Sequence, residues 1–151
     1  MQDLPHHYRV AAKAEPEGDV HVTADDVASI ISGPPPEFGG PGGQWSPETL
    51  LVAAVADCFI LSFRAIARAS RLPWTSVECH AEGKLERVES AMRFTEFTVN
   101  ATLHVPPDTD EHKAHRILEK AEATCLVTNS LSASRRLNAV VQVNSSAVEG
   151  Q

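Results

Sequence analysis

"SPETLLVAAVADCFILSF", residues 46–63, is the stretch on which the reading of this chain turns. Ser46 is a good helix N-cap and Pro47 suits the first helical position, so a helix begins here. It continues through a nearly unbroken apolar run to about Arg71, which at ~1.5 Å per residue makes it roughly 37 Å long, the diameter expected of a domain this size. Such a helix is a central strut. Asp57 interrupts the run and Arg64, Arg68 and Arg71 follow, so no uncharged stretch of the ~20 residues needed to cross a bilayer is present, and a buried helix of a soluble protein is expected. At about 100° per residue, Asp57, Arg64, Arg68 and Arg71 share one stripe, while Leu51, Ala54, Cys58, Ser62, Ala65 and Ala69 share another. Small side chains on the cysteine stripe let another backbone come close. The first half of the helix is apolar on nearly all sides, more than one thin sheet would cover, so a homodimer with this helix in its interface is expected.

Upstream, residues 7–14, 19–23 and 27–32 read as short strands broken by "EPEG" and "ADD", forming a small antiparallel sheet. "GPPPEFGGPGGQW", residues 33–45, is too rich in Pro and Gly for a regular element and reads as a loop delivering the chain to the helix; with no Gly-Lys-Ser/Thr after it, it is no phosphate loop. Downstream, "TSVECHAEGKLERV" alternates, with Val77, Cys79, Ala81 and Leu85 on one face and Glu78, His80, Glu82, Lys84 and Glu86 on the other. "AMRFTEFTVNATLHV" pairs with it through a turn near Glu89–Ala91, and Phe97, Val99, Ala101, Leu103 and Val105 face inward. Asp108 and Glu111 resemble a capping box opening a second helix, whose apolar stripe of Ala114, Ile117, Leu118 and Ala121 is continued by Cys125. "LNAVVQV", residues 137–143, is a last strand, and the tail after Asn144 reads as loose.

With 151 residues, 42% of them hydrophobic and 22% charged, the chain has the length of one domain and enough apolar residues for a real core. A net charge of −7 leaves no basic stripe to track phosphates, which disfavours nucleic acid and anionic membrane as partners and fits a small neutral or apolar ligand. The N-terminus "MQDLPHHYRV" has no basic segment followed by an apolar core, so a reducing, cytoplasmic setting is expected. Cys58, Cys79 and Cys125 are too scattered for a C-x-x-C motif or a zinc cluster. His112 and His115 lie one turn apart, but among Glu111, Lys113 and Arg116 on a charged helix face and without a third ligand of diagnostic spacing, so no metal is expected. A buried free cysteine is ordinarily a small hydrophobe, the reading kept for Cys79.

Three pieces carry a family resemblance. "PPEFGGPGGQWSPETLLVAAVADCF", residues 35–59, resembles the OsmC/Ohr signature, in which a Gly-rich loop leads into a Ser/Asn-Pro-Glu helix start and a cysteine ten residues after the glutamate. "AMRFTEF", residues 91–97, is similar to a strand common in that family, and "ATCLVTNSL", residues 123–131, resembles its second-cysteine motif. The match covers roughly residues 7–144. The resemblance implies an α+β, two-layer domain with antiparallel sheets around long central helices, paired as an intertwined homodimer. It also implies thiol-dependent reduction of organic hydroperoxides without cofactor, with Cys58 as the peroxidatic thiol, Cys125 as the resolving thiol and Glu48 as the active-site carboxylate. An external dithiol, in the family often a lipoylated protein, would regenerate the pair.

In such chemistry a thiolate attacks the peroxide O–O bond to give a sulfenic acid, and a second thiol condenses with it to a disulfide. That requires Cα atoms within about 7 Å, so Cys58 and Cys125 must be neighbours. Phe38, Trp45, Phe59 and Val127 are candidates for an apolar wall favouring alkyl or fatty-acid hydroperoxides. Ten residues of helix put Glu48 ~15 Å from Cys58, so any action on the thiol would reach the partner subunit's Cys58 across a dimer. Without that role Glu48 is a first-turn acid favoured by the helix dipole. Cys58 is three turns into its helix, and the early hairpin "KAEPEGDVHV" lacks the arginine the family usually places there, leaving Lys13, Arg9 or Arg93 as candidate cations. The alternative on the same fold is a non-enzymatic binder of small apolar ligands, with both cysteines as pocket lining.

Overall fold

The computed structural model describes residues 1–145 in two compact units divided between Leu51 and Val52. In the N-terminal unit, β1 (Ala11–Lys13), β2 (Val20–Thr23) and β3 (Ile30–Ser32) form the expected antiparallel sheet in sequence order. The Pro/Gly segment after it is a closed loop rather than a slack connector. The Gly33 amide donates to the Trp45 carbonyl at 2.9 Å, and Pro36–Phe38 makes one 3₁₀ turn. Gly40 is compelled at its position, because a Cβ there would stand 1.8 Å from the Pro34 carbonyl oxygen.

The loop delivers Ser46, whose hydroxyl accepts from the Thr49 amide at 3.1 Å while its own amide donates to Thr49 Oγ1 at 2.9 Å. This is a reciprocal cap, with Thr49 in the place a Glu or Gln more often takes. The helix it opens, α1 (Pro47–Ala69), is long and apolar enough on length and composition to cross a membrane, and only 22% of its most apolar window is buried in the chain. One stripe, Val55, Phe59, Phe63 and Ala67, enters the core. The cysteine stripe lies beside it, and the single chain packs α1 mainly through that one side.

In the C-terminal unit, β4 (Ser76–Val88) and β5 (Ala91–Val105) pair as an antiparallel hairpin, with Glu89 in the left-handed region at φ 59° in the turn. Phe97, Val99, Ala101, Leu103 and Val105 are all buried, as the alternation predicts. Leu85 is not: a bulge between Lys84 and Leu85 breaks the register and leaves it exposed. Gly83, just before the bulge, permits α1 to lie close, since a Cβ there would meet Val52 Cγ2 at 2.9 Å.

The second helix, α2 (Glu111–Thr124), is capped by Asp110, whose carboxylate accepts from the Lys113 amide, and not by Asp108, which sits at φ 67° in the preceding turn. A single helical turn, α3 (Leu126–Asn129), follows at once. β6 (Ser134–Val143) then pairs with β5 in parallel, giving the order β4-β5-β6. The expected antiparallel sheet is therefore mixed here, because α2 carries the chain back along the sheet before β6 begins. Helices and sheet make two layers closed over one core of β5, α1 and α2 side chains. The part of the tail from residue 146 onward lies outside the described residues.

Candidate functional site

Cys58 sits mid-way along α1 and Cys125 at the hinge where α2 ends and α3 begins. Although 67 positions apart in sequence, the two thiols are near enough for each to alter the ionisation of the other, and both are free. Cys58 Sγ also lies 4.0 Å from Ser62 Oγ, one turn on. An apolar pocket of about 430 Å³ opens over Cys58, lined by Ala54, Leu61, Ser62, Ala65, Leu126 and Val127, with Asp57 at its edge. Cys125 is 1% exposed and lies behind its neighbour.

The pair is electrostatically unequal. Burial pushes the Cys58 thiol up; the Val127 amide works against this, and the neighbouring Cys125 adds to it. For Cys125 burial also works upward, but the Thr128 hydroxyl and amide, the Cys58 thiol and the Val127 amide all stabilise its thiolate, and the net direction is down. The two thiols titrate as a pair, with the groups around Cys125 favouring the charge on its side. Cys79, on β4, is pushed up to about 11 by burial and then by the charge of Cys125, which keeps it a protonated small hydrophobe at neutral pH.

The backbone hinge at Cys125 is held by a group that local sequence patterns do not show. Arg135, near the start of β6, donates from Nε to Glu122 Oε1 at 2.8 Å, from Nη1 to Asn129 Oδ1 at 2.6 Å, and from Nη2 to the Glu122 carbonyl. Asn129 Nδ2 in turn donates to the Ala123 carbonyl at 3.2 Å. The end of α2 and the end of α3 are thus tied to one guanidinium on either side of Cys125. Asn129, inside the second-cysteine motif, was the one visible trace of this clamp.

Glu48 belongs to the N-terminal unit. It lines an apolar cavity of about 540 Å³ with Val20, Val22, Pro34, Phe38 and Leu50, and its Oε1 is buried without a hydrogen-bond partner. A buried carboxylate oxygen left so calls for a donor from elsewhere. Lys13 lines a separate cleft with Glu15, Glu17, Asp19 and His21. Of the four wall candidates, Val127 lines the pocket over Cys58, Phe59 is in the core, Phe38 lines the Glu48 cavity, and Trp45 is half exposed. Among the described residues no group of three or more His, Cys, Asp or Glu is arranged to hold a metal.

A family model described as OsmC-like protein matches residues 40–139. The chain is 26% identical over 128 residues to the uncharacterized protein YmaD of Bacillus subtilis, which covers 75% of this chain and 82% of that protein. It is 29% identical over 101 residues to peroxiredoxin OsmC of Escherichia coli, covering 67% and 69%. The crystal structure of an organic hydroperoxide resistance protein OsmC from Legionella pneumophila matches with a TM-score of 0.73 at 22% identity, covering 93% of this chain and all of that one. At that identity the likeness is one of fold.

Proposed function

The chain belongs to the OsmC-like protein family, and from that premise we propose that it is a cytoplasmic two-cysteine peroxidase that reduces organic hydroperoxides to alcohols. The observation that carries this reading is that the fold brings Cys125 beside Cys58, near enough for each thiol to alter the other's ionisation, with an apolar pocket over Cys58. With one negative charge on the pair, Cys125 takes the Cys58 proton as Cys58 attacks the distal peroxide oxygen. The O–O bond breaks, the alkoxide recovers that proton from Cys125 and leaves as alcohol, and Cys58 becomes a sulfenic acid. The Cys125 thiolate then displaces hydroxide from the sulfenic sulfur to form the disulfide, which an external dithiol, such as a lipoylated protein, reduces. No cofactor takes part.

The active form in this reading is an intertwined homodimer. The uncovered side of α1, on which Leu61 is 52% exposed, and the open sheet edges at β4 and β6 support it. In that dimer the unpartnered Glu48 carboxylate acts at the partner subunit's Cys58. A test is the E48A variant, in which turnover is lost while the dimer survives; normal turnover would remove Glu48 from the mechanism.

The main experiment is stopped-flow oxidation of the reduced protein by cumene hydroperoxide and by hydrogen peroxide, with C58S and C125S as controls. Fast, Cys58-dependent oxidation that prefers the organic peroxide is expected. Reaction no faster than that of a free thiol would favour the second reading, a non-enzymatic binder of small apolar ligands. The upward push on Cys58 and the hairpin without arginine are the observations on that side.

A further inference from the structure

The C-terminal half of α1 carries a feature that the thiol chemistry does not use. Arg64 and Arg68 stand one turn apart on its exposed side, and among the described residues neither forms an ion pair. Two like charges at this spacing disfavour the helix by a few tenths of a kcal/mol unless something compensates them. Although the chain's net charge is −7, among the described residues no carboxylate forms an ion pair with either arginine.

The two guanidinium groups line one side of an open cleft of about 680 Å³, whose other residues are Ile60, Trp74, Ser76 and Val77. The indole is braced from behind, its ring edge-on to that of the buried Phe63 with centroids 5.3 Å apart. The cleft thus joins paired cationic forks to a fixed aromatic and aliphatic wall. Guanidinium forks match the planar or tetrahedral oxygens of carboxylate and phosphate, and the wall shields an apolar body from water.

We propose that this cleft binds an amphiphilic anion, a carboxylate or phosphate monoester on an apolar body, its head bridging Arg64 and Arg68 and its body lying against Trp74, Ile60 and Val77. The proposal does not use the thiol chemistry, and it requires that the proposed dimer leave this part of α1 uncovered. It needs only the C-terminal unit's own residues.

The test is a fluorescence titration of the full chain carrying W45F, which leaves Trp74 as its single tryptophan. The probes are octanoate, octyl phosphate, octanol and inorganic phosphate. Saturable change with octanoate or octyl phosphate is expected, with at least about tenfold weaker binding of octanol and of inorganic phosphate, and at least about tenfold loss in R64A/R68A. The tighter of the two octyl anions identifies the head group. Equal affinity of R64A/R68A, or octanol binding as tightly as octanoate, would overturn the site. So would a change of subunit state in R64A/R68A by size-exclusion chromatography, which would assign the arginines to a subunit contact instead.

Discussion

At Cys125 the backbone turns from one helix straight into the next, and that turn governs the charge of the thiol beside it. Because each sulfur alters the other, removing one shifts its partner in a definite direction. In C125S the Cys58 thiol loses a neighbour that raises it, so its alkylation by iodoacetamide has a midpoint at lower pH than in the intact pair. In C58A the Cys125 thiolate loses a donor, and its midpoint moves up. Following the alkylation rate against pH in both variants checks the two signs together. Arg135 acts on the same hinge from a distance. Hydrogen bonds to a charged group contribute about 1.5–3 kcal/mol, so R135Q lowers the melting temperature by several degrees and slows closure of the Cys58–Cys125 disulfide after peroxide addition. An unchanged closure rate alongside the lower melting temperature would reduce Arg135 to a stabilising contact.

The elements differ in how openly the sequence declares them. The five inward residues of β5 were legible because strict alternation from Phe97 to Val105 survives intact in the fold. Leu85 obeyed the same pattern and was misread, since a bulge is a property of strand pairing and leaves no mark in one strand alone. Asp108 and Asp110 both precede α2 closely enough to cap it, and only the left-handed backbone at Asp108 decides between them. The Arg135 clamp joins residues six and thirteen positions away through tertiary structure, so no local spacing announces it. On α1 the helical wheel picked out the charged stripe and the cysteine stripe but not Val55, Phe59, Phe63 and Ala67, the stripe that enters the core, because that choice depends on where the sheet lies. That choice has a measurable consequence. Phe59 is buried, and F59A costs about 3–5 kcal/mol in denaturant unfolding, whereas L61A, a change on the open side two residues later, leaves the folding of a single chain nearly unaltered.

For the molecule as a whole, the half-buried Cys79 ties stability to alkaline pH. The folded chain holds this proton up to about pH 11, while an unfolded thiol releases it near 9.0. The stability it confers is complete below pH 9 and is lost progressively as pH rises toward 11, because only the unfolded state ionises over that interval. Denaturation curves across this range should fall more steeply for the native sequence than for C79A. The proposed dimer makes a separate demand: its melting temperature drops on dilution, as for any folded state held by association, while a monomer's does not.

The parallel placement of β6 also bears on how the protein is made. A ribosome releases the N-terminal segments first, so Cys58 and Cys125 have both emerged before Arg135 and the strand that carries it. β6 cannot take its place beside β5 until α2 has crossed the sheet, and the guanidinium arrives with that strand. The two sulfurs therefore acquire their final alignment only when the last strand docks. An interrupted chain ending before residue 134 would contain both cysteines yet lack the clamp on their hinge, so assembly of the pair reports that β6 has been made.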